Sequence, residues 1–116
     1  LEGTLYCSGY APGTQSVAQF EKDYCETYNV ETVPNMFAPL AYDAAMIMAY
    51  GLKAAEEKGL SAGTEEYKQA VIEAIKSMQG VEGITGTYSF DEYNNPIKSV
   101  AIIELSGGEE VFKEMY

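Results

Sequence analysis

Asn35-Met36-Phe37-Ala38-Pro39-Leu40-Ala41-Tyr42-Asp43-Ala44-Ala45-Met46-Ile47-Met48-Ala49-Tyr50-Gly51-Leu52-Lys53-Ala54-Ala55 is the stretch around which the chain is organised. Apolar residues fall at 37, 40, 41, 44, 47, 48, 51, 52 and 55, the i, i+3/i+4 spacing of a helix. The opposite face, Tyr42, Ala45, Met46, Ala49 and Tyr50, is also nearly uncharged, and Asp43 is the only formal charge between Glu31 and Lys53. A helix apolar almost all round has to be sandwiched between other elements. The rest of the fold is expected to pack against it.

Working outward, the 116 residues are enough for one domain with a core of its own. The apolar fraction of 47% and the charged fraction of 22% are those of a globular chain. The net charge of −11, from seven basic and eighteen acidic residues, is the outlier. Phosphate backbones and anionic membranes need a positive field, so nucleic acid and anionic membrane surfaces are poor partners. No run of about 18 apolar residues is present to span a bilayer. The chain starts at Leu1-Glu2-Gly3, without initiator Met, signal-peptide core or lipidation motif, and runs directly into a strand. Either a processed mature form or a piece of something longer fits that start.

Cys7 and Cys25 do not make a disulfide framework, and two small buried thiols are expected. With no His and two Cys, a zinc site is close to excluded, and no metal or cofactor is expected.

Along the chain, Gly3–Ser8 reads as a strand closed by Gly9 and Ala11-Pro12-Gly13. Residues 14–28 read as a helix with Val17, Phe20, Tyr24 and Tyr28 on one stripe, capped by Thr14 or by a Ser16-x-x-Gln19 box and stopped by Asn29. Pro39 places the start of the central helix near Met36–Ala38, and Gly59 ends it. Thr64 caps a third helix, with Glu65 and Glu66 in its first turn and a stripe of Tyr67, Ala70, Val71, Ala74, Ile75 and Met78. Gln79-Gly80 closes it. Residues 84–90 are strand-like, 91–96 dense in turn formers, 97–105 the best strand, and 111–116 a last short one. The order is strand, three helices, then two or three strands, with at most one parallel, right-handed crossover from the first strand to a later one. So few strands cannot cover the central helix on every side.

The stretch Phe37-Ala38-Pro39-Leu40-Ala41-Tyr42-Asp43-Ala44-Ala45 resembles the helix opening of type I periplasmic binding proteins, the substrate-binding subunits of branched-chain amino acid ABC transporters. Gly83-Ile84-Thr85-Gly86, Phe90-Asp91-Glu92 and Asn94-Asn95-Pro96 are similar to the family's strand, turn and return. Phe20-x-x-x-Tyr24-x-x-x-Tyr28 is similar to its preceding helix. Together these cover nearly the whole chain in the family's order. The resemblance implies an α/β fold and a partial lobe: a C-terminal third, residues 1–116, of a two-lobed solute-binding protein, made mostly of first-lobe helices plus hinge-crossing strands. Members of the family are considerably longer and hold their ligand in a cleft between lobes.

By the same resemblance Phe37 contacts the ligand side chain, a role that suits an aromatic at a helix opening, although Phe37 also fits as the first core residue of its stripe. The groups that hold an amino acid's ammonium and carboxylate are expected mostly outside these residues. Tyr10 and Tyr42 are further ligand-binding candidates, with packing behind a polar tip the alternative for Tyr42. Ser8, Gly9 and Leu105 are hinge candidates. Asp43 is expected to complement the helix dipole or cap it. Asp91 and Glu92, with Asn94 and Asn95, lack the spacing of a calcium loop and read as a solvated turn.

The implied function is an extracytoplasmic solute-binding subunit, periplasmic or a cell-surface lipoprotein, that binds an amino acid and delivers it to the membrane permease of an ABC importer. A sensory-receptor ectodomain of the same fold and a self-contained acidic interaction domain are the alternatives. An enzyme is not expected: there is no His, nucleophile elbow, P-loop or dinucleotide fingerprint, and no carboxylate pair at a cleft for glycoside hydrolysis. An uncovered Phe37–Leu52 helix is expected to drive dimerisation or strand exchange.

Overall fold

The computed structural model describes residues 1–116. Its elements are β1 (Leu5–Ser8), α1 (Ala18–Tyr28), α2 (Phe37–Glu57), α3 (Glu65–Lys76), β2 (Val81–Glu82), β3 (Thr87–Phe90), β4 (Pro96–Ile97), β5 (Ala101–Ser106) and β6 (Glu109–Met115). The α/β class and the three helices stand. Five short strands follow the helices where two or three were expected. The run 84–90 is strand only from Thr87, because Ile84 and Thr85 form the tip of a turn closed by Gly83 N–H donating to Gly86 C=O at 2.8 Å. The run 97–105 breaks between Ile97 and Ala101.

That break has a further meaning. The chain forms two compact units, Leu1–Ala41 with Ser99–Tyr116, and Tyr42–Lys98, where length alone suggested one domain. The polypeptide passes from one to the other inside α2 and again after Lys98.

In the first unit the sheet order is β1-β5-β6, antiparallel throughout. Ser8 pairs with Ala101 and Leu5 with Glu104. The chain leaves this unit beyond the Ser8 end of β1 and re-enters at Ser99, beside that same end, so β5 must run back along β1. The parallel crossover is therefore ruled out. Gly107 and Gly108, at φ 64° and 86°, close the β5–β6 hairpin; a two-residue turn with both φ positive matches the twist of the strands. Ala11, Ala101 and Ile103 form the core, with Val17 fully buried nearby in sequence at the start of α1. The capping box does not form: Val17 occupies the N-cap, and the Gln19 amide donates to Asp23 instead. Thr14 Oγ1 turns back to Ala11 C=O, as a hydroxyl in a tight turn does. Asn29 ends α1 at φ 52°, as its left-handed tolerance predicts. Phe20, Tyr24 and Tyr28 meet ring to ring along the helix in tilted pairs, with centroids 5.7 and 4.6 Å apart. Cys7 is exposed and Cys25 half-buried, both free, so neither is the buried thiol expected: Cys7 sits on edge strand β1.

In the second unit, α2 and α3 pack through Gly51. A Cβ at Gly51 would stand 2.9 Å from Ile75 Cγ1 and 3.0 Å from Val71 Cγ1, so the helix tolerates its glycine for the sake of close approach. Ala55, Tyr67 and Ala70 form the adjoining core, with Leu60 and Val71 against it. Thr64 caps α3 by accepting from Tyr67 N–H at 3.2 Å. The helix stops at Ser77, earlier than Gln79-Gly80, which leaves Met78 to turn inward and bury completely. The strands β2, β3 and β4 form an antiparallel meander. Its second turn is held by Asp91, whose carboxylate accepts from Tyr93 N–H, Asn95 N–H and the Asn95 amide. Those bonds, the Asn95 side chain first, hold the Asp91 carboxyl below the usual aspartate range.

The central helix buries a single line, Pro39, Asp43, Gly51 and Ala55, with Ile47 half-buried between them. Met46 is 53% exposed and Met48 50%, and Tyr42, Tyr50 and Leu52 are exposed as well. The sandwich predicted for this helix is thus half present, and apolar side chains between Phe37 and Leu52 stay uncovered on both sides of the buried line. Gly51→Ala gains about 1 kcal/mol of helix propensity but overpacks the α2–α3 contact by about 1–3 kcal/mol. Net destabilisation is expected, read as a lower urea midpoint at unchanged slope.

Candidate functional site

Three short pieces of the first unit build the site: the end of β1, the connector before α2, and the opening of α2. Ser8 is buried, and its hydroxyl donates to Tyr10 C=O at 2.7 Å and accepts from Tyr10 N–H at 3.2 Å. This closes the chain into a tight turn directly after the strand. Gly9 sits against Leu40; a Cβ there would meet Leu40 Cδ1 at 3.2 Å. The Ser8 hydroxyl also lies 4.0 Å from Met36 Sδ, so the connector rests on the strand end.

Asn35 sets the opening of α2. Its Oδ1 accepts from Phe37 N–H at 2.9 Å, satisfying one of the amides left unpaired at a helix start. Pro39, in the first turn, is fully buried and has no N–H to satisfy. With Pro39 inward, Phe37 is turned out, and its residue is 67% exposed. It is not the first core residue of its helix. Beside these residues lies an open pocket of about 280 Å³ whose lining includes Tyr6, Ser8, Tyr10, Asn35, Met36 and Glu110.

Tyr10 is buried, and its hydroxyl donates to Glu21 Oε1, which also accepts from Gly13 N–H at 3.0 Å. Burial first, then the Glu21 carboxylate, pushes the Tyr10 phenol well above its ordinary value, so it stays neutral. Leu105 is half-buried in β5, donating to Thr4 C=O and accepting from Gly3 N–H. Ser8, Gly9, Tyr10, Phe37 and Leu105 thus all belong to the first unit. Tyr42, half-exposed on α2, belongs to the second. Asn35 and Met36 were missed from sequence, although an Asn two residues before a helix-opening aromatic is a readable cap signal.

The second unit holds the other cluster missed from sequence. Asp43 lies beyond the first turn of α2, is 1% exposed, and neither caps the helix nor complements its dipole. Its Oδ1 accepts from Ile84 N–H at 2.7 Å, and its Oδ2 from Thr85 N–H at 2.9 Å, Thr85 Oγ1 at 2.6 Å and Tyr88 OH at 3.1 Å. Gly83 is obligatory here, because a Cβ would fall 2.7 Å from the carboxyl group. Lys98 Nζ completes the cluster, donating to Thr85 Oγ1 at 2.6 Å and lying 5.1 Å from the centre of the Tyr88 ring. Burial lowers the Lys98 pKa from its ordinary value, against the pull of Asp43.

The helix opening Phe37–Ala45 and the Gly83-Ile84-Thr85-Gly86 run, two of the motifs on which the sequence resemblance rested, meet at Asp43. The sequence profile described as periplasmic binding protein matches residues 1–109. The chain belongs to the periplasmic binding protein family. Among solved structures it is similar to the leucine-binding protein LivK of Thermotoga maritima, with 25% identity and a TM-score of 0.72 over 98% of this chain and 31% of that one. It is likewise similar to the branched-chain amino acid transporter substrate-binding protein LivJ of Streptococcus pneumoniae, solved with isoleucine, at 25% identity and TM-score 0.70 over 97% of this chain and 30% of that one. An extracellular ligand-binding receptor of Rhodopseudomonas palustris shares the fold, with TM-score 0.76 at 22% identity over 97% of this chain and 34% of that one. The chain spans about one third of the length of each of these structures. No curated protein matches it.

Asp43→Ala strands two backbone amides and two hydroxyls in the second unit, each costing about 1–3 kcal/mol when left unpaired. A loss of about 3 kcal/mol or more of unfolding free energy is expected from denaturant titration, far beyond that of an exposed-face change such as Met48→Ala.

Proposed function

We propose that this chain is the C-terminal third of an extracytoplasmic solute-binding protein, the capture subunit of an ABC importer, whose ligand is an amino acid of the branched-chain class. The observation that carries the reading is Phe37: a family member's helix opening with its aromatic turned outward, on a turn fixed by Asn35 and buried Pro39. A planar apolar wall of this kind suits an aliphatic side chain, and removing it from water against a ligand is worth about 1.5–3 kcal/mol. The family match, together with the leucine and isoleucine that two of the similar structures bind, supports the ligand class. The family is one of solute-binding proteins, which favours capture over catalysis and over a self-contained acidic interaction domain.

Capture by two lobes works because ligand favours the state in which both lobes touch it. Ser8, Gly9 and Leu105 are proposed to bear part of that motion from the first unit, and Tyr10 and Tyr42 to stand near the ligand. The permease of the importer would then recognise the closed form. In the full-length protein containing this chain, Phe37→Ala is expected to weaken leucine or isoleucine binding about 10-fold or more by calorimetry. A correctly folded variant with unchanged affinity would remove Phe37 from the site.

The uncovered face of α2 also predicts the behaviour of these 116 residues by themselves. Met46 and Tyr50 on one side of the helix, and Met48 and Leu52 on the other, are apolar surface that association removes from water. Sedimentation equilibrium is expected to give a dimer or larger species for the isolated chain; a stable monomer at high concentration would contradict this.

A further inference from the structure

Asp43 is the second residue of the Tyr42–Lys98 unit and Lys98 the last. The chain enters the unit beside one and leaves it at the other. The Thr85 hydroxyl links them: Thr85 Oγ1 donates to Asp43 Oδ2 at 2.6 Å and accepts from Lys98 Nζ at 2.6 Å. Tyr88 OH braces the same triangle, 2.8 Å from Thr85 Oγ1, 3.1 Å from Asp43 Oδ2 and 3.4 Å from Lys98 Nζ.

We propose that Asp43, Thr85 and Lys98 form a clamp that fixes the entry and exit points of the Tyr42–Lys98 unit relative to each other, and so act as positioning residues for closure of the binding protein. The inference rests on the two-lobed reading above. Two chain passages tied at one end turn together as one hinge. Untied, each moves by itself, the ligand-free ensemble widens, and ligand has to order more of it on binding. Burial of Asp43 and Thr85 suits the device: with its anionic end out of water the relay is less screened by salt than a surface pair and is geometrically demanding. Gly83 allows the carboxylate to reach the turn, and Thr85, two residues on, supplies the hydroxyl at its centre.

The test uses the full-length protein with Cys7 and Cys25 replaced by serine and spin labels placed through Asp23→Cys in one unit and Lys58→Cys in the other. Thr85→Val removes the central hydroxyl, Lys98→Met removes the ammonium while keeping most of the stem, and Thr85→Ser retains the hydroxyl. In the ligand-free state the inter-label distance distribution is expected to broaden in Thr85→Val and Lys98→Met and to keep its wild-type width in Thr85→Ser. Leucine affinity is expected to fall about 2- to 30-fold in the first two variants. Unchanged distributions in folded Lys98→Met and Thr85→Val protein, even with lowered unfolding midpoints, would reduce the relay to a structural contact and overturn the proposal. Should Thr85→Val not fold, Lys98→Met alone decides. A wild-type protein that binds no amino acid would count against the proposed function only, since the ligand-free distances still judge the clamp.

Discussion

A carboxylate taken out of water is among the most expensive things a small fold can contain, and it persists only where every lone pair finds a donor. Asp43 meets that condition with two amides and two hydroxyls, all from the segment 84–88. Much of the second unit follows from it. The first turn of the meander keeps its shape because its amides point at the carboxylate. Position 83 must be glycine for the turn to approach. Thr85 must carry a hydroxyl, and Lys98 has somewhere to place its charge. The carboxylate anchors α2 to residues some forty positions away, with no apolar contact needed at that point.

The first unit solves a different problem with smaller means. Its three-stranded sheet packs a small core cluster of two alanines and one isoleucine, with Val17 and Tyr10 also buried. Order at the strand end is achieved by short polar bridges: Ser8 folding onto Tyr10, Glu21 receiving the Tyr10 hydroxyl, Asn35 holding the Phe37 amide. These bridges leave the aromatic outside while the proline beneath it is locked in. A residue facing solvent on a well-determined backbone is how a recognition surface differs from a loose loop.

How much of this was legible beforehand varies with the physics involved. Helices were readable where local rules govern them: Pro39 fixing the start of α2, Thr64 capping α3, Asn29 stopping α1. Strand breaks were not, because the interruption at 98–100 comes from a passage between units and the late start of β3 from a distant carboxylate. The capping box failed because Val17, buried on its own account, took the cap position. Asp43 was misread for the same reason: next to a helix start an acid looks like a dipole partner, and only the fold shows a turn closing over it. Phe37 was singled out correctly as the helix-opening aromatic, but its outward direction depends on Pro39 being the residue that turns in.

The outer edge of the first unit carries a consequence for a polypeptide rich in exposed backbone. Strand β6 is exposed along all seven residues and presents Glu109, Glu110 and Glu114 along one edge of the sheet. A border that long invites zipper-like growth of one molecule onto the next. Aligned glutamates bring like charges face to face whenever two such borders meet, and the repulsion is strongest in dilute salt. The acidity of the chain thereby acts as a safeguard against fibrils, placed along an edge strand that is open to them.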